Sequence, residues 1–207
     1  MEHGQDASSA SSAGNEPVAA KRERLRSLLQ ADQRRDESWT PLAMAQRRLW
    51  DLEHSQQSPG VHQFAIAYDI EGPIQIPLLH AAMRWVALRH AALRVQVTLR
   101  GGEPGFEVIP AFEPPLKERD CSRAAADADG IEALLTREAA RPISLTEGPG
   151  WRAVIIGRGG EGHTLLLGFH HMIADRWSVA VFASDLATAY EALLQGTLSP
   201  SPPARML

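Results

Sequence analysis

Residues 151–169 read as a β-hairpin, and no other stretch constrains the fold as tightly. A strand over 151–156 leads into the turn Gly157-Arg158-Gly159-Gly160-Glu161-Gly162, and an apolar strand follows over 163–169. An amphipathic helix from about Ser178 to Gln195 comes next, with Phe182, Leu186, Ala189 and Leu193 on one stripe and Gly196 placed as its cap. Strands joined to a helix with one apolar stripe bury that stripe against the sheet, which predicts an α+β fold in two layers.

The remainder of the chain fits this class. Thr40 and Pro41 read as the cap and first residue of a helix whose apolar face is Leu42, Ala45, Leu49 and Leu52. Phe64, Ile66, Tyr68 and Ile70 alternate with Ala65, Ala67 and Asp69 as a strand does. Pro77 opens a helix with Leu79, Met83 and Val86 on one stripe. Leu93, Val95, Val97 and Leu99 alternate again, and Gly101-Gly102 turns the chain towards a strand around Phe106 and Val108. Residues 110–128 read as a Pro-rich, then polar, loop. Ile131, Leu134, Leu135 and Glu138 mark a further helix. The division expected is a disordered tail and linker helix over 1–37, a domain over 38–196 and a Pro/Ser-rich tail over 197–207.

Composition narrows the function. The chain of 207 residues is 44% apolar, enough for one core, and its net charge of −4 argues against nucleic acid as a partner. One cysteine, Cys121, excludes an intrachain disulfide and a multi-cysteine zinc site. The polar start is no signal peptide and no apolar run is long enough to span a bilayer, so the expectation is a cytoplasmic protein without membrane attachment.

The segment that carries chemistry is His170-His171-Met172-Ile173-Ala174-Asp175, at the end of the apolar strand. Successive strand residues point to opposite faces, so one histidine of the pair faces a cleft and the other the packed side. Two diverging rings make a poor chelate, and no metal is expected. Asp175, four residues after His171, lies across the turn and is placed to brace the loop.

Three segments in order extend this into a resemblance. PLAMAQRRLWDL (Pro41 to Leu52) is similar to the opening motif S-x-A-Q-x-R-L-W. RHAALR (Arg89 to Arg94) is similar to R-H-x-x-L-R, and HHMIADRWS (His170 to Ser178) to H-H-x-x-x-D-G. Together they resemble the N-terminal half of a condensation domain of nonribosomal peptide synthetases, over roughly residues 38–196. That family belongs to the H-x-x-x-D acyltransferases. The resemblance implies one lobe of a chloramphenicol-acetyltransferase-like fold, a mixed sheet covered by helices, with the histidine motif facing a tunnel between two lobes.

It also implies the chemistry. An amine on one carrier protein attacks an acyl thioester on another, each delivered on a phosphopantetheine arm, so no cofactor is bound by the domain itself. By the family pattern His171 is the catalytic residue, as general base or as the group that positions the amine and stabilises the tetrahedral intermediate. His170 and Asp175 are then structural, and Asp175 is expected to pair with a buried Arg89 or Arg94. The implied partners are acyl or peptidyl carrier proteins and a second condensation lobe or other synthetase modules.

The sequence departs from the pattern where Arg176 replaces the motif glycine, Ala43 the usual serine and Ala91 a frequent glutamate. The chain stops soon after the helix that follows the histidine motif, so the second lobe is expected to be a separate piece. Two alternatives remain beside amide formation. One is a non-catalytic module that docks carrier proteins or a partner lobe. The other is an acyltransferase for a free small molecule. Trp50 and Trp177 are expected to anchor helices to the sheet, and His54, His62, His80, His90 and His163 to be ordinary structural residues.

Overall fold

Backbone pairing sorts the strands into two sheets. The structure, a computed structural model, describes residues 39–56, 60–110, 112–120, 128–158 and 162–198. The tail and linker helix expected over 1–37, Cys121 and most of the 197–207 tail lie outside the described residues. In chain order the elements are β1 (Trp39–Pro41), α1 (Met44–Gln56), β2 (Gln63–Ile70), α2 (Ile76–Arg89), a 3-10 turn (Ala91–Arg94), β3 (Val95–Arg100) and β4 (Glu103–Val108). They continue with β5 (Leu116–Asp120), α3 (Ala128–Ala140), β6 (Trp151–Gly157), β7 (His163–His170) and α4 (Arg176–Leu194).

The larger sheet has the order β2-β7-β6-β5, antiparallel except for the parallel pair β5–β6. Its mixed character and helical cover agree with the α+β, chloramphenicol-acetyltransferase-like expectation. The odd-numbered residues of β6 and β7 (Trp151, Ala153, Ile155, Leu165, Leu167, Phe169) share the main core with Leu79, Met83 and Val86 of α2 and Val179, Phe182 and Leu186 of α4. The even-numbered Val154, Ile156 and Leu166 pack on Leu134 of α3. Both sheet faces are thus buried, which is why β6 and β7 read as nearly unbroken apolar runs.

The smaller sheet, β1-β4-β3, is antiparallel. It packs on α1 through a second cluster of Trp50, Val97, Leu145 and Met172.

Three local expectations are corrected. Thr40 and Pro41 do not start α1; they lie in β1, paired with Phe106 and Gly105, and the helix begins at Met44. The loop expected over 110–128 contains β5, a strand that borrows its order from the backbone of β6. Trp177 is 79% exposed at the start of α4 and anchors nothing to the sheet, whereas Trp50 is buried as expected.

Candidate active site

The two histidines separate at the end of β7. His170 is fully buried. Its Nε2 lies 2.9 Å from Oε2 of Glu53 on α1, and its Nδ1 accepts the Met172 backbone N–H at 3.1 Å. A ring nitrogen that accepts an N–H bears no proton, so His170 is neutral and donates from Nε2 to the carboxylate. Burial pushes its pKa below the ordinary 6.5, against the opposing pull of Glu53.

His171 is exposed. Its backbone N–H donates to His62 O at 2.8 Å, and its ring lies against Phe64 of β2 with centroids 4.6 Å apart. Phe64 in turn stacks on Phe169, and Phe169 on Trp151, so the imidazole caps a column of aromatic rings rising from the main core. Among the described residues no side chain hydrogen-bonds the His171 ring nitrogens. Both are open to a ligand.

The segment after His171 is held by two cores at once. Met172 is buried in the smaller cluster and Ala174 in the main one, while Ile173 packs against both. Ile173 and Ala174 donate their N–H groups back to His170 O at 3.0 and 3.3 Å. Gln46 Nε2, from α1, donates to Met172 O at 3.3 Å.

Asp175 caps α4. Its carboxylate accepts from Ser178 N and Ser178 Oγ, both at 2.8 Å, and Ser178 Oγ accepts from the Asp175 N–H at 3.3 Å, forming a capping box. These bonds hold its pKa below the usual carboxylate range. The expected pair between Asp175 and Arg89 or Arg94 does not form. Arg89 Nε instead lies 3.1 Å from Oδ2 of Asp185, without the alignment of a hydrogen bond, and the same oxygen is 2.6 Å from His90 Nε2. Arg94 Nε donates to Ala87 O at 2.9 Å. Serine three residues after an aspartate at a helix start offers a nearer partner than a guanidinium on another helix.

Arg176, at the first position of α4, is exposed, and so is its neighbour Trp177. Among the described residues no group of three His, Cys, Asp or Glu side chains is placed to hold a metal. No helix among them is long and apolar enough to cross a membrane.

Sequence reasoning missed Glu53. Its signal was available: Trp50, Glu53 and His54 share one face of α1, so a carboxylate sits beside a buried indole instead of opposite it.

Comparison with known proteins adds three likenesses to this geometry. Residues 36–205 match the family model described as "Condensation domain". Part of the linear gramicidin synthase of Brevibacillus parabrevis is 34% identical over 159 residues, 75% of this chain and 2% of that protein. Phosphinothricin tripeptide synthetase PhsC of Streptomyces viridochromogenes is 30% identical over 171 residues, 81% of this chain and 16% of that protein. In structure, the starter condensation domain of rhizomide synthetase RzmA superposes with a TM-score of 0.73 at 22% identity, covering 81% of this chain and 42% of that one. This last likeness is one of fold.

Proposed function

The chain belongs to the condensation-domain family, and on that premise we propose that it supplies the histidine-bearing part of an enzyme that joins an acyl group to an amine by an amide bond. The observation that carries the reading is the His171 ring: solvent-facing, stacked on Phe64, and with neither nitrogen engaged by a described side chain. An α-amine is largely protonated near neutral pH and attacks only once it has lost a proton, and imidazole titrates in that range.

The step balances simply. The acceptor nitrogen bonds to the carbonyl carbon of the donor thioester, and its proton passes to or is held by the His171 ring. The C–S bond then breaks and the departing thiolate takes up a proton. Donor and acceptor arrive on the phosphopantetheine arms of carrier proteins, and the arm is part of the substrate. The names of the relatives, synthases and synthetases of peptides, favour an amine over an alcohol as acceptor. The chain spans about two-fifths of the solved domain it superposes on, so the other wall of the reaction site comes from a second lobe.

The test incubates the chain with donor-loaded and acceptor-loaded carrier proteins, together with a complementary second lobe. Amide product that disappears in H171A supports the reading. Equal product from H171A and the parent chain sinks it.

A further inference from the structure

The orientation of the His171 side chain is set by the two peptide planes that flank its Cα. The N–H of the first belongs to His171 and donates to His62 O at 2.8 Å. The N–H of the second belongs to Met172 and donates to His170 Nδ1 at 3.1 Å. That second bond exists only while Nδ1 carries a lone pair, which requires the ring proton to sit on Nε2. Nε2 is in a fully buried ring, and the acceptor it meets is Oε2 of Glu53 at 2.9 Å.

We propose that Glu53 is a positioning residue for the reaction: by holding the His170 proton on Nε2 it keeps Nδ1 free to clamp the Met172 amide, and so fixes the direction of the His171 ring. The proposal rests on the reading of His171 as the group beside the attacking nitrogen. Without the carboxylate, the buried Nε2–H has no acceptor. Moving the proton to Nδ1 relieves that cost but turns an N–H towards the Met172 N–H. Two donors then face each other, and the plane after His171 is released. α1 therefore grips the loop twice, through Glu53 by way of the imidazole and through Gln46 on Met172 O. Glu53 also lines a cavity of about 410 Å³ with Trp50, His54 and Ser144. His171 is not among the residues that line it, so Glu53 acts on the reaction through His170 and not by touching the substrate.

The test compares the parent chain, E53Q and E53A. Ring-nitrogen NMR shifts report the tautomer of His170, hydrogen exchange reports the Met172 amide, and kcat and KM are read from the two-carrier assay with its complementary lobe. The parent and E53Q, whose amide oxygen still accepts from Nε2, show the Nε2–H form and a protected Met172 amide. In E53A the Nδ1–H form appears, Met172 exchanges at least about tenfold faster, and kcat falls by roughly 10- to 100-fold with KM little changed. Where E53A fails to fold, the parent and E53Q decide the matter, since a parent His170 protonated on Nδ1 overturns the proposal. An E53A chain with unchanged tautomer and Met172 protection overturns it, as does a lost clamp with unchanged kcat. Equal product from H171A sinks the catalytic reading instead, so the two failures are told apart.

Discussion

Charge is spent sparingly around His171, and the two ionisable neighbours with displaced pKa values behave in opposite ways. His170 is held neutral by burial, facing Glu53 from α1 with His62 and His171 nearby. Its folded pKa is below the unfolded 6.5. The unfolded chain therefore binds the proton first, and the stabilisation is complete above that value and is lost as the pH falls through the folded pKa. The melting temperature is expected to drop more steeply below about pH 6.5 in the parent than in H170Q, which has no proton to take up at that position. A parallel pair of curves would remove His170 from the acid sensitivity. Asp175 works through hydrogen bonds to a helix end, a task asparagine performs equally well. D175N should melt near the parent and D175A a few degrees lower, whereas D185N, which leaves Arg89 and His90 without their carboxylate, should cost on the order of 3 kcal/mol in denaturant unfolding. The motif pointed to the right loop but not to these partners. An aspartate in a sequence looks the same whether it caps a helix or meets an arginine, and Glu53 meets its histidine across 117 residues of chain.

At the scale of elements, periodicity was a good guide wherever an element supplies its own apolar pattern. β2, the β6–β7 hairpin, α2 and α4 all follow their stripes, with buried Leu79, Met83, Val86, Phe182 and Leu186 where the spacing places them. It failed for strands that exist because of a partner. β5, with the sequence LKERD, has no alternation of its own and is ordered by parallel pairing to β6. As an outer strand of the larger sheet it also carries Lys117, Glu118 and Arg119, charges that discourage pairing with another molecule. β1 is three residues long and reads as a helix cap until Gly105 is found opposite it. That glycine is required by contact: a Cβ there would lie 2.2 Å from the Trp39 ring. G105A should therefore push the indole away and loosen β1 from β4, costing about 1–3 kcal/mol. Chemical denaturation checks the value, and W39A combined with G105A should show a smaller penalty for the alanine than G105A alone.

Taken whole, the molecule puts its reactive loop on the seam between two apolar clusters, with Met172 in one and Ala174 in the other. A loop so placed is rigid because neither cluster can shift without pulling on it. M172A should cost about 2–5 kcal/mol by leaving a cavity and should reduce amide formation as well. A variant of equal stability loss made deep in the main core, such as L186A, should spare the rate at temperatures where both remain folded. The pairing of β2 with β7 has a consequence in time. Phe64, the shelf on which the His171 imidazole rests, is made about a hundred residues before the strand it pairs with. Such a distant closure is entropically slow. While the chain is being synthesised, β2 has to wait on the ribosome for β7 to emerge, so the reactive corner is among the last parts of the described structure to take shape.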